Sequence, residues 1–415
     1  MTHAPFLSPV DRIPVSLLTG FLGAGKTTLL NHWVQQPGMS GVALLVNEFG
    51  DVGIDHHLVD KVADQMLLLD SGCLCCRVQG DLVAALKKLA DRSARREITP
   101  ITRVVIETTG LADPVPVLYT LMEDPYVSAR YVCDGVVTAI SATHGAQQLH
   151  DYTETTRQVI AADRLLLTKC DLTRADELPL LHQALQALNP QASRVEVRHG
   201  RADLQVLMGA GLYSPGVPRT QLSQWLNTAD TLSTPRLTTP ATPSTTPRYS
   251  ALPHPQRQSE RHTEQVRSFV LTFDQAVPWF GLSVVLGGIL RDYGTQLLRV
   301  KGLIHATGDV RPLVVQCVQN IAYPPVRLPA WPQDGAFADG CGRLVFIARE
   351  LKAAQRADIQ ARLQNLPSDR AALRSSATDW SLPTRCWLQQ RMPVMGDTQA
   401  QHEAWRIQPK RFHSA

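Results

Sequence analysis

The stretch Gly20-Phe21-Leu22-Gly23-Ala24-Gly25-Lys26-Thr27 decides the fold. It fits the pattern G-x-x-x-x-G-K-T, and it lies between an apolar run at 15–18 and a helical pattern at 27–36, so it reads as the turn from a strand into a helix. Glycines in such a turn let backbone N–H groups approach phosphate oxygens, and the start of the helix adds the positive end of its dipole. On this reading Gly20, Gly23, Ala24 and Gly25 form the cradle and Lys26 reaches the β- and γ-phosphates of a nucleotide. The Thr27 hydroxyl ligates Mg²⁺, and Thr28, the last residue of the nucleotide site, supports the helix.

Working outward, short apolar runs recur at 42–46, 66–69, 104–106, 136–140 and 165–167, with helical patterns between them at 80–92 and 178–188. Unbroken apolarity suits strands covered on both faces, and strand–helix alternation predicts a doubly wound, mostly parallel sheet of the P-loop NTPase kind over residues 1–213. In 233–255, 15 of 23 residues are Ser, Thr or Pro, too few apolar groups to order the segment, so 214–262 is expected to be a linker. Strand-like runs at 266–273, 296–300, 312–318 and 343–348, with helical patterns at 277–290 and 351–366, predict a smaller α+β C-terminal domain over 263–366. The remaining 367–415 carries scattered Trp, Pro and charge without a period and is expected to be a tail that is poorly ordered or docked irregularly.

Composition narrows the function classes. A net charge of +4, with no run of five basic residues, argues against a nucleic-acid partner, and no apolar stretch approaches the ~20 residues that span a bilayer. No signal peptide is read, because the N-terminal apolar run passes into the glycine loop and not into a cleavage site; the expected compartment is the cytoplasm. Eight cysteines in 415 residues, with Cys73, Cys75 and Cys76 inside four positions, do not form a secreted disulfide framework.

Four further segments carry chemistry. Thr168-Lys169-Cys170-Asp171 follows a strand late in the first domain, where the Asp171 carboxylate could accept both the N1 and N2 hydrogens of guanine; the alternative is a loop aspartate capping the next helix. Glu107 ends the strand at 104–106, where a carboxylate can orient the attacking water or hold Mg²⁺ through water; a capping turn is the other reading. The thiols of Cys73, Cys75 and Cys76 are soft ligands suited to Zn²⁺, Cu(I) or Co²⁺ and would leave a fourth tetrahedral position open, as fits an exchanging ion; buried structural cysteines or a redox pair are the alternatives. Residues 47–55, with Glu48, Asp51 and Asp55, leave the second strand where a segment could sense the γ-phosphate and move on hydrolysis.

Taken together, these segments resemble the CobW-like metallochaperone GTPases in order and spacing. The second domain is similar to the CobW C-terminal domain through Leu298-Arg299-Val300-Lys301-Gly302 and Arg343-Leu344-Val345-Phe346-Ile347. The resemblance implies a GTPase that uses GTP and Mg²⁺, binds zinc or a related ion at Cys73, Cys75 and Cys76 with help from Glu48, and passes the metal to a metal-requiring client protein. Two features depart from the family: the linker has only His254 and His262 nearby where many relatives are histidine-rich, and Ser141 stands where relatives often place an aspartate. Lys26, Glu48 and Glu107 are thus the expected catalytic residues, and Thr168, Lys169 and Asp171 the expected base-binding ones. No arginine in these motifs is placed as a finger on the γ-phosphate, so slow intrinsic turnover, below about 10 per second, is expected. A nucleotide-gated metal buffer and a small-molecule kinase are the competing functions.

Overall fold

The structure is a computed structural model, and it describes residues 12–47, 66–69, 77–208, 210–211, 236–237, 266–332, 337–376 and 381–388. The first domain alternates β1 (Ile13–Gly20), α1 (Lys26–Val34), β2 (Val42–Asn47), β3 (Met66–Leu69), α2 (Arg77–Ala94), β4 (Arg103–Glu107), α3 (Val115–Glu123) and α4 (Pro125–Arg130). It continues through β5 (Tyr131–Ser141), α5 (Gly145–Asp151), α6 (Thr153–Ala161), β6 (Arg164–Thr168), α7 (Glu177–Leu188), β7 (Ser193–Glu196) and α8 (Gln205–Met208). The seven strands form one sheet in the order β3-β2-β4-β1-β5-β6-β7, and every pair is parallel.

Side chains alternate across this sheet as the two-residue strand period requires. On β1, Val15 and Leu17 face a core shared with Leu82, Leu86 and Leu89 of α2, while Leu18 faces the opposite core with Leu29, Leu30 and Trp33 of α1. Both faces are therefore covered, which is why β4 and β5 are buried along their whole length and read as continuous apolar runs. The strand β7, Ser193-Arg-Val-Glu, was not expected: it lies at the sheet edge, is half exposed, and lacks the apolar run that marks the others.

The second domain is an antiparallel sheet in the order β12-β11-β10-β14-β9, built from β9 (Val266–Phe273), β10 (Leu297–His305), β11 (Pro312–Val318), β12 (Ile321–Ala322) and β14 (Gly342–Arg349), with β13 (Val326–Arg327) paired to β11. The short β8 (Arg236–Leu237), inside the stretch read as a linker, adds to β9 in parallel. One face of the sheet carries α9 (Trp279–Tyr293) and α10 (Ala353–Gln364). The other face turns to the first domain: Leu303, Val314, Val318, Ile321 and Tyr323 share one apolar core with Val15 and Leu17 of β1.

The described part of the tail docks on the second domain. Helix α11 (Asp369–Ser376) packs on α9, and its Asp369 carboxylate accepts hydrogen bonds from the N–H groups of Phe280 and Gly281 at 2.8 and 3.4 Å, capping the start of α9 from outside. Trp387 is buried, stacks on Trp279 with ring centroids 5.3 Å apart, and donates to the Tyr323 carbonyl at 2.7 Å. These contacts are caps and single anchors, not a helical face, so they leave no hydrophobic period in the sequence.

Candidate functional site at the strand ends

Because the strands are parallel, the chain leaves β1, β2, β3, β4 and β6 at one edge of the sheet, where an open α/β sheet binds its ligands. The turn after β1 is the phosphate loop. Gly20 has φ +140°, and a Cβ there would overlap the Ala139 carbonyl of the neighbouring strand, while Gly25 takes the left-handed φ of +88° that starts α1. No side chain caps α1, so the N–H groups of its first turn are left for another acceptor, as an anion site requires.

Lys26 folds over this loop, and its Nζ donates to the carbonyls of Gly20 at 2.8 Å and Phe21 at 3.3 Å. Burial lowers the Lys26 pKa from its ordinary value, and the Glu107 carboxylate opposes that shift, which places the two groups within electrostatic reach of each other. Glu107 is itself buried at the end of β4, in register with Leu18 of β1 and Val46 of β2. Just beyond it, Thr108 donates its backbone N–H to the Leu18 carbonyl at 3.0 Å and its hydroxyl to Thr19 at 2.8 Å, fixing this strand end to the phosphate loop. The neighbouring Thr109 hydroxyl is buried without a partner among the described residues.

The Thr168-Lys169-Cys170-Asp171 turn divides its work. Thr168 donates its hydroxyl to the Ala24 carbonyl at 2.7 Å and to Ile140 at 3.2 Å, so it ties β6 to the phosphate loop through the protein itself. Lys169 takes a left-handed φ of 59°, which turns the chain sharply after β6. Asp171 accepts from the His199 backbone N–H at 2.9 Å and lies 3.2 Å from its Nδ1; the hydrogen bond from that N–H lowers the carboxyl pKa. The loop holding Asp171 closes back on the phosphate side, since a Cβ on Gly200 would meet the Thr28 side chain.

The structure thus brings together Gly20, Gly23, Ala24, Gly25, Lys26, Thr27, Thr28, Glu107 and Thr168, with Lys169 and Asp171 on the adjoining turn. Glu48, Cys73, Cys75 and Cys76 lie outside the described residues; the chain enters their segments from Asn47 of β2 and Leu69 of β3, on adjacent strands. Among the described residues no group of three or more His, Cys, Asp or Glu is placed to hold a metal ion, and no helix is long and apolar enough to cross a membrane.

Two contributors were not legible in the sequence. His199 belongs to no motif and reaches Asp171 from 28 positions away. Gln158 of α6 is buried and donates to the carbonyls of Gly110 at 3.2 Å and Ala112 at 3.0 Å, holding the loop that follows Glu107. A polar residue on the buried side of α6 was the one available signal for it.

Comparison with known proteins agrees with this architecture. The model of the CobW/HypB/UreG nucleotide-binding domain matches residues 14–196, and that of the cobalamin synthesis protein CobW C-terminal domain matches residues 266–366. The zinc chaperone YjiA of Escherichia coli K12 is 34% identical over 312 residues, covering 75% of this chain and 88% of the relative. The zinc-regulated GTPase metalloprotein activator 1 of Saccharomyces cerevisiae is 27% identical over 334 residues, covering 72% of each. Among solved structures, Zn(II)-bound YjiA GTPase from E. coli superposes with a TM-score of 0.55 at 26% identity, over 86% of this chain and 100% of that one.

Proposed function

The chain belongs to the CobW/HypB/UreG family, and from that premise we propose that it is a GTP-hydrolysing metallochaperone that carries zinc as cargo and releases it to a client protein. The observation that carries this reading is the shared sheet edge. The phosphate loop, Glu107 and the exits toward Glu48 and the three cysteines all leave the same ends of four adjacent strands, β3-β2-β4-β1. At ~4.8 Å per strand spacing, the cysteine segment starts about 15 Å from the phosphate loop, near enough for nucleotide state and metal affinity to be linked.

In this proposal the backbone N–H groups at 23–27 hold the phosphates, and Lys26 swings from the Gly20 and Phe21 carbonyls onto the β- and γ-oxygens. The Thr27 hydroxyl in the first turn of α1 and the Glu107 carboxylate at the end of β4 are hard oxygen donors and fit Mg²⁺, which would neutralise charge developing on the phosphates. Glu107 or Glu48 orients the attacking water, and Asp171, whose carboxylate accepts the His199 N–H, pairs with the guanine edge. Cys73, Cys75 and Cys76 bind the zinc, with Glu48 assisting. The proposed division is a GTPase domain at 1–213, a linker at 214–262 and a C-terminal domain from 263 that takes in α11.

Nucleotide competition and turnover test the proposal. GTP is expected to displace ATP by about a hundredfold or more, since an adenine leaves the Asp171 carboxylate unpaired. Lys26→Ala is expected to abolish hydrolysis and client activation in cells. Client activation that survives Lys26→Ala would indicate a non-catalytic buffer, and tight ATP binding without GTP binding would indicate a kinase.

A further inference from the structure

Helix α6 touches both the loop beyond Glu107 and the second domain. In mid-helix, Gln158 is fully buried and its Nε2 bridges the Gly110 and Ala112 carbonyls, while its Oε1 is buried without a donor among the described residues. One residue earlier, Arg157 donates to the Asp113 carboxylate at 3.1 Å. The loop these residues hold is pressed on the phosphate loop: a Cβ on Gly110 would overlap the backbone of Leu22. At the start of the helix, Tyr152 rests on Phe21, with ring centroids 4.5 Å apart.

The other end of α6 is held from the second domain. Helix C-terminal carbonyls need donors from outside the helix. Here Arg299 of β10, wholly buried, donates to the carbonyls of Ile160, Ala161 and Ala162 at 3.2, 2.6 and 3.1 Å, and its second amino group pairs with the Asp163 carboxylate. Lys301 Nζ lies 3.8 Å from the same carboxylate, and Gln316 donates to it at 3.5 Å. A buried charge cluster tolerates little displacement, because a shifted partner leaves an uncompensated charge in an apolar site. Movement of α6 must therefore move β10 with it or break this joint.

We propose that Gln158 is a positioning residue for the loop at 108–113, and that α6, clamped at its end by Arg299, transmits the nucleotide state of that loop to β10 of the second domain. The proposal rests on the GTPase reading of the site. A γ-phosphate that draws the Gly110 backbone toward it shifts the two carbonyls that Gln158 holds and, through the Nε2 bonds, pulls on α6.

The test is amide hydrogen exchange on the full chain, loaded with Mg²⁺ and either GDP or a non-hydrolysable GTP analogue, with nucleotide affinity and turnover measured on the same preparations. In the wild type, the amides of β10 are expected to exchange about tenfold more slowly with the analogue. Gln158→Leu is expected to keep GTP affinity within about threefold, lower kcat by about ten- to a hundredfold, and erase the β10 difference. Identical β10 exchange in the two states, with both nucleotides bound, overturns the relay and leaves the GTPase reading standing; the wild-type comparison decides this even where the variant does not fold. A Gln158→Leu variant with normal kcat and an intact β10 difference also overturns it. A chain that binds no GTP overturns the function reading and the relay together.

Discussion

Lys26 opens α1 and Glu107 ends β4, yet the two lie within electrostatic reach because β1, which leads into α1, is adjacent to β4 and in register with it. Asp171 is fixed by a residue far along the chain, its carboxylate accepting the His199 N–H, which lowers its pKa. Asp171→Asn replaces one carboxylate oxygen with an amide donor, which matches the N1–H and C2 carbonyl of xanthine and clashes with the amino group of guanine. The loss of charge-assisted hydrogen bonds of ~1.5–3 kcal/mol predicts GTP affinity about a hundredfold weaker and XTP bound in preference, read by competition binding. Unchanged GTP preference would place Asp171 outside the base site. Elsewhere in the core, burial pushes the Cys133 thiol up to about 12. A raised pKa stabilises the fold while the unfolded thiol is protonated, and this contribution is lost as pH rises above about 8.5 toward the folded value. The urea midpoint is therefore expected to fall between pH 8 and pH 10, and to fall less in Cys133→Ala; an equal fall in both would contradict this.

At the scale of elements, α6 depends on partners from two directions. Asn189 is fully buried at the end of α7, and its Nδ2 donates to the Val159, Ile160 and Ala162 carbonyls at 2.8, 3.2 and 2.9 Å, complementing Arg299 on the same helix end. Asn189→Ala leaves buried carbonyls with fewer donors and is expected to cost about 2 kcal/mol in urea denaturation; a change below ~0.5 kcal/mol would show that Arg299 alone satisfies them. Such dependence explains what the sequence could and could not disclose. Strands β1, β2, β4, β5 and β6 were legible because burial on both faces leaves continuous apolar runs, and the phosphate loop was legible because its glycines and Lys26 are contiguous. Gln158, Asn189 and Arg299 were not, because each acts on carbonyls 27 to 139 positions away and any side chain with an N–H donor fits the local pattern. Strand β7 and helix α11 escaped for a related reason, since an edge strand and a cap-anchored helix bury too few side chains to print a period.

At the scale of the molecule, the two domains share one apolar core and one buried charge cluster, so the second sheet is built onto the nucleotide domain, not tethered beside it. A nucleotide-dependent change at the first sheet's edge then has two outlets: the segments leaving β2 and β3, where the proposed metal ligands lie, and α6 toward the second domain. The central claim is that nucleotide state and metal affinity are coupled, and reciprocity requires that zinc in turn shift nucleotide affinity by the same factor. A hundredfold coupling needs only about 2.7 kcal/mol, within what one reorganised thiolate ligand supplies. The most direct test titrates Zn²⁺ against a chelating competitor, with the protein loaded with Mg²⁺ and either GDP or a non-hydrolysable GTP analogue, and repeats it after Cys75→Ser and Cys76→Ser. Tighter zinc binding with the GTP analogue, lost in the double variant, is the predicted result; equal zinc affinity in both nucleotide states would contradict the account.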